Sequence, residues 1–157
     1  MKIPVTFFAP AERKPVGVVQ QQAAGLNRAP LAATFLNAAL NYLLVLNSER
    51  QIVMASENFL ELVPGKTMDQ IIGLRPGEAL GCIHAEECAS GCGTSHFCCQ
   101  CGVVKVILAG LQGSRQMEEC HLTRKRRNRE EVLHLRVLAT PLLHNGERFT
   151  LLAVAKA

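Results

Sequence analysis

The stretch Leu43-Leu44-Val45-Leu46-Asn47-Ser48-Glu49-Arg50-Gln51-Ile52-Val53-Met54-Ala55-Ser56-Glu57-Asn58-Phe59-Leu60 decides the fold class. Two apolar, β-rich runs, residues 42–47 and 51–55, flank the polar turn Asn47-Ser48-Glu49-Arg50, and together they predict a hairpin. Ser56 stands where it can cap a short helix over residues 57–63, and Pro64-Gly65 stops it.

Downstream, Thr67 and Gln70 have capping-box spacing for a second short helix that Gly73 closes. A cysteine-rich segment runs from Gly81 to Gly102. Val104, Ile107, Leu108 and Leu111 then mark one face of a helix ending at Gly113. Residues 115–123 read as a strand, with the basic run Arg124-Lys125-Arg126-Arg127-Asn128-Arg129 as its hairpin tip. In 132–139, Leu133, Leu135, Val137 and Ala139 fall on one face, His134 and Arg136 on the other. A last strand, 148–155, follows the turn His144-Asn145-Gly146-Glu147. Strands at both ends with helices between them predict an α+β domain over residues 42–157. Its antiparallel sheet carries helices on one face, with the cysteine segment between them.

Upstream, Pro30 can open a helix. Leu31, Phe35, Ala38, Ala39 and Tyr42 share a face, so residues 30–41 are predicted to be an N-terminal helix packed on the domain. Its apolar stripe is also the candidate dimer surface. Residues 1–29 hold Pro4, Pro10, Pro15, Gly17, Gly25 and a triple glutamine, without a period, and are expected to be a flexible lead-in.

The length of 157 residues suits one domain, and 48% hydrophobic with 19% charged residues excludes wholesale disorder. No apolar run reaches the ~18–20 residues of a membrane span. The N-terminus does not read as a signal peptide, so a cytoplasmic protein without membrane attachment is expected. The net charge of +4 is modest. At a hairpin tip the basic run would be solvated and partly neutralised by Glu130-Glu131. No aromatic residue interleaves with it, so nucleic acid is not an expected partner.

Six of the seven cysteines fall between Cys82 and Cys101. In a reducing compartment such clustering points to metal or redox chemistry rather than a disulfide framework. Cys98 and Cys101, with two residues between them, can both reach one ion. Ser90, Gly91, Gly93 and Ser95 let the backbone wrap tightly. Buried, unliganded thiols are the plain alternative, and a thioredoxin-type CxxC would call for a βαβ pattern that is missing. His84 and His96 could substitute as ligands but read rather as polar loop residues, and Cys120 and His121 as structural strand residues.

The hairpin, the capped helix and the element order around them resemble the PAS sensor domain over about residues 40–155. The stretches Gly73-Leu74-Arg75-Pro76-Gly77-Glu78-Ala79-Leu80-Gly81-Cys82, Gly91-Cys92-Gly93-Thr94-Ser95 and Phe97-Cys98-Cys99-Gln100-Cys101-Gly102 resemble the cysteine-bearing PAS domains of bacterial sensor histidine kinases. That resemblance implies Cys82, Cys92, Cys98 and Cys101 as the metal ligands, with Cys88 and Cys99 as extras. Zinc and an iron–sulfur cluster both accept four thiolates in such a loop. The Asn-Cys-Arg type of motif for a photoactive flavin thiol is missing, and no histidine is singled out for haem.

No phosphoacceptor helix or ATP-binding lobe follows the last expected strand, so a sensor without its transmitter is expected, either a stand-alone regulator or a fragment of a longer protein. The expectation is a non-enzymatic sensory module, homodimeric, working with a signalling partner or kinase domain. A zinc-stabilised interaction module and a thiol-based redox protein are the alternatives.

Overall fold

The computed structural model describes residues 5–157. Five strands, β1 (Tyr42–Leu46), β2 (Ile52–Ala55), β3 (Gln116–Arg126), β4 (Arg129–His144) and β5 (Glu147–Lys156), form one sheet in the order β2-β1-β5-β4-β3. Every neighbouring pair is antiparallel. The first hairpin and the last three strands therefore share a sheet, as the sequence predicts.

Period-2 alternation sets the inner face. Leu44, Leu46, Leu135, Val137, Ala139, Leu152 and Val154 point the same way and are buried. Against them pack Val106 and Ile107 of a helix over Gly102–Leu111 and Phe59 and Leu62 of a 3₁₀ turn over Glu57–Leu62. Burying each such aliphatic side chain contributes roughly 1.5–3 kcal/mol.

The predicted helix after the hairpin is thus a 3₁₀ turn. Ser56 does not cap it; its Oγ accepts the Leu43 N–H at 2.9 Å and ties the turn to β1. The capping box at Thr67 forms, with the Thr67 N–H donating to Gln70 Oε1 at 2.9 Å, and opens a one-turn helix, Met68–Ile71.

The expectation of a flexible lead-in over residues 1–29 is corrected; residues 1–4 lie outside the described part. Residues 16–27 form a helix, α1 (Val16–Asn27). It covers the opposite sheet face, where Val19 and Leu26 pack with Val45, Val53, Met54 and Phe149. A register shift between Val45–Met54 and Leu46–Ile52 leaves Val53 as an extra residue and lets both Val53 and Met54 join this outer cluster, so β1 and β2 are apolar on both faces and need a cover. Upstream of α1, the Phe7 and Ala9 N–H groups donate to the Thr94 and Gly93 carbonyls, each at 2.9 Å, and Ala9 and Ala11 are buried.

The helix predicted over residues 30–41 is also corrected. It is α2 (Ala32–Ala38), preceded by Leu31 in a left-handed conformation at φ 72°. Ala32 and Leu36 face the α1 cluster, while Leu31 and Phe35 are 61% and 67% exposed. Of the stripe read as the packing face, Leu31 and Phe35 therefore point outward, whereas Tyr42 belongs to β1 and packs on the main core.

The basic run does occupy the β3–β4 tip, where Arg127 and Asn128 take positive φ. One member departs from the solvated reading. Arg124 shares the inward parity of Cys120 and Leu122, is buried, and donates to the Leu62 carbonyl and to Glu131 Oε2.

Candidate functional site: a thiol-lined cavity

Between β2 and the long Gly102–Leu111 helix, here α5, the chain makes α3 (Met68–Ile71), α4 (Pro76–Leu80) and a run of short turns. Little in that run is apolar. Its conformation is fixed by buried polar groups. Arg75 is wholly buried, and its guanidinium gathers carbonyls from three segments. Nε donates to Glu49 at 2.9 Å; Nη1 donates to Ser90 at 3.1 Å and Cys92 at 3.5 Å. Nη2 donates to Glu12 at 2.7 Å, Ala11 at 3.3 Å and Pro10 at 3.4 Å. Arg50 joins two of the same acceptors, Pro10 at 2.8 Å and Cys92 at 3.3 Å.

Glu78 completes the clamp. It accepts from Arg13 through both oxygens, and from the Arg75 and Cys92 N–H groups at 3.3 and 3.1 Å. Burial alone would raise its pKa, but the hydrogen bonds and charge of Arg13 hold it below the usual carboxylate range. Burial pulls Arg75 down to about 10, with Arg50 and Arg13 adding repulsion. Cys92 is thus gripped through both its N–H and its carbonyl.

The clamp borders a cavity of about 440 Å³ beneath edge strand β3. Cys82, Cys92, Cys98 and Cys101 all line it. So does Cys120, a correction to its expected role as a structural strand residue. Its Sγ lies 4.0 Å from that of Cys101. Cys88 and Cys99 do not line the cavity: their thiols donate to the Val5 and His96 carbonyls. His84 lines it, stacked on Phe97 at 3.8 Å with Nδ1 2.6 Å from Glu87 Oε1, whereas His96 stacks on Phe7 outside. A glycine makes the cavity possible: a Cβ on Gly77 would stand 2.7 Å from Cys92 Sγ.

The thiols differ in acidity. Burial pushes Cys92 up to about 12 and raises Cys82 as well. The hydrogen bond within the Cys101–Cys120 pair raises the first thiol and lowers the second. A sulfur-rich site suits soft metals. The sulfurs stand around the cavity without converging, however: among the described residues no three Cys, His, Asp or Glu side chains are gathered to hold an ion. A second groove, about 700 Å³ between α1, α2 and β2, contains neither cysteine nor histidine.

No family model matches the sequence, and no curated protein matches it. Solved structures do match. The PAS domain of nitrogen regulation protein NR(II) from Vibrio parahaemolyticus superposes with a TM-score of 0.56 at 15% identity, covering 82% of this chain and 100% of that one. A PAS domain of a protein from Desulfitobacterium hafniense gives 0.55 at 10% identity, covering 79% and 99%. A PAS domain from a two-component sensor histidine kinase gives 0.54 at 9% identity, covering 81% and 94%. The chain has the PAS fold. Among the described residues no helix is long and apolar enough to cross a membrane.

Proposed function

We propose that the protein is a cytoplasmic sensory module that reports the chemical state of its thiol-lined cavity to a signalling partner, without catalysing a reaction. One observation carries this reading: five of seven cysteines, distant by up to 38 positions, line a single cavity under the sheet of a PAS fold. The clamp gives the cavity a route outward. Arg75 holds Cys92 and residues 10–12 at once, so a displacement of Cys92 reaches the chain leading into α1.

We further propose that Cys82, Cys92, Cys98 and Cys101 hold a metal centre, zinc or an iron–sulfur cluster. The support is the soft donor set and the exclusion of Cys88 and Cys99 from the cavity. Ligand thiols would have to move together, so binding would order residues 82–101 and release protons. Zinc would supply a redox-silent scaffold, an iron–sulfur cluster a redox-responsive one.

The test is metal analysis and the visible spectrum of protein purified without oxygen or chelator. Stoichiometric metal, lost on serine substitution at any of the four but retained in Cys88→Ser and Cys99→Ser, is the expected result. Absence of zinc and iron in that preparation overturns the metal centre. The homodimer is proposed to form through the exposed Leu31 and Phe35 of the α2 region. Sedimentation should show a dimer that Phe35→Glu dissociates; a wild type that is monomeric at high concentration refutes it.

A further inference from the structure

We propose that Cys101 and Cys120 are a redox pair that closes to a disulfide when metal-free protein meets hydrogen peroxide, locking the start of α5 onto β3. The inference takes its location from the thiol cavity proposed above, and it assigns the reactive pair differently from the sequence. The Cys98-x-x-Cys101 spacing suggests those two as partners. In the structure Cys98 Sγ is turned to Ser95 Oγ at 3.2 Å, while Cys101 Sγ meets Cys120 Sγ at 4.0 Å.

The backbone is built for the closer pair. Cys101 immediately precedes α5, and Cys120 lies within β3. Between α5 and the strand there is no room for a side chain at residue 102: a Cβ on Gly102 would stand 2.7 Å from the Glu119 carbonyl oxygen and 3.3 Å from Glu118 Cβ. The helix therefore begins directly on the strand, one residue from each cysteine. A disulfide needs the sulfurs at about 2.05 Å, so the step is roughly a 2 Å approach of two side chains across an interface already in contact. The cavity that both residues line gives a molecule as small as peroxide a way in.

The chemistry balances with peroxide as the oxidant. The thiolate of Cys120 attacks one peroxide oxygen, the O–O bond breaks, and the departing hydroxide takes a proton to become water. The resulting sulfenic acid is attacked by the Cys101 sulfur. The S–S bond forms, the S–O bond breaks, and the Cys101 proton leaves with the hydroxyl as a second water. Two thiols are oxidised by two electrons, and one peroxide is reduced to two waters. A Cys101 bound to metal is not free for this step, so metal-loaded protein should resist it.

The full chain is assayed for metal, stripped with chelator and reductant, desalted and exposed to stoichiometric peroxide. Expected are the loss of two titratable thiols, an intact mass lower by two hydrogens, and a cross-link that reductant removes. Non-reducing tryptic mapping is diagnostic, because Cys120 falls in the peptide 116–124 and the other six cysteines in 67–105, the Arg75–Pro76 bond resisting trypsin. Fragmentation of the linked peptides should place the bond at Cys101. Cys120→Ser should abolish the cross-link and Cys98→Ser should retain it. The map of the wild type requires neither variant to fold. A Cys98–Cys101 bond, a bond of Cys120 to another cysteine, or oxygen addition without a cross-link overturns the proposal. Metal found beforehand but no cross-link after stripping refutes this inference alone. A cross-link in protein that never held metal supports it and removes only the metal centre.

Discussion

Leu133, Leu135, Val137, Leu152 and Val154 lie along the inner face of β4 and β5, all buried and all apolar. The turns between Arg75 and Cys101 contain few such residues; their buried members include Arg75, Thr94 and Ser95, with Arg50 reaching in from the first hairpin. The sheet is held by many interchangeable contacts. Deleting one side chain there leaves a cavity, and the neighbours remain satisfied. The cysteine segment is held by a few donors, each serving several carbonyls. Deleting one donor takes a partner from several carbonyls at once. The site is therefore the more fragile region, and its weak points are charged residues outside the cavity.

The largest effect should come from removing the cover that supplies those carbonyls. Deleting residues 1–27 takes away buried Ala9, Ala11, Val19 and Leu26 and three of Arg75's acceptors. A loss of several kcal/mol is expected, which for a chain of this size lowers Tm by ~10 °C or more. Thermal denaturation decides it. An unchanged Tm would mean that the lead-in is the flexible segment the sequence suggests and that the clamp is idle.

Arg75→Met should come next, at about 3 kcal/mol or more, because it takes the Arg75 donor from the Glu49, Ala11 and Glu12 carbonyls at once. Leu135→Ala is the control in the sheet, at about 2–5 kcal/mol. The two should differ in where they act. Hydrogen exchange should rise in residues 5–14 and 90–94 of the Arg75 variant while β4 and β5 stay protected. The Leu135 variant should lose protection in the strands. Equal loosening of both regions by Arg75→Met would break the contrast between them.

The contrast also explains what the sequence made legible. Hairpin β1–β2, α5 and the alternation of β4 announce themselves because apolar periodicity is both the cause of the structure and the sign of it. The clamp has no period. Arg50 stands in the polar turn Ser48-Glu49-Arg50-Gln51 and Arg75 is a single charge between Leu74 and Pro76, which in sequence describes a solvated residue as well as a buried one. Helix α1 was missed because Val16, Val18, Val19, Gly17 and Gly25 are weak helix formers, and packing on the sheet overrides their propensity. Cys120 had a usable signal: in a strand over 115–123 it shares parity with Leu122, so it faces inward with the other thiols. The cysteines of the loop were gathered by resemblance, whereas their common cavity depends on Gly77 and the arginines, which no spacing rule reveals.

Gly77→Ala tests the site from inside. Its methyl group would press on Cys92 Sγ, and overpacking of this kind costs roughly 1–3 kcal/mol. Cys92 should shift, and its alkylation at pH 8 should accelerate relative to wild type, where burial holds the thiol protonated up to about 12. Unaltered stability and an unaltered alkylation rate would mean that the cavity wall is soft and that the glycine is not needed there.

The smallest effect expected has the opposite sign. Gly25 lies inside α1, and a methyl group placed on it meets nothing within 4 Å. Glycine within a helix is destabilising by roughly 0.5–1 kcal/mol relative to alanine, because the unfolded chain gives up more freedom there. Gly25→Ala should therefore raise Tm by about 1–4 °C. The sign follows only if α1 is a formed helix whose ordering is part of the folding reaction. In an unfolded lead-in the same substitution would change the folded and unfolded chains alike, and Tm would not move. Combining it with Arg75→Met sharpens the point. If α1 stays docked when the clamp is cut, the gain persists in the double variant. If the clamp is what seats the helix, the gain disappears with it, and the lead-in and the cysteine segment form one cooperative unit.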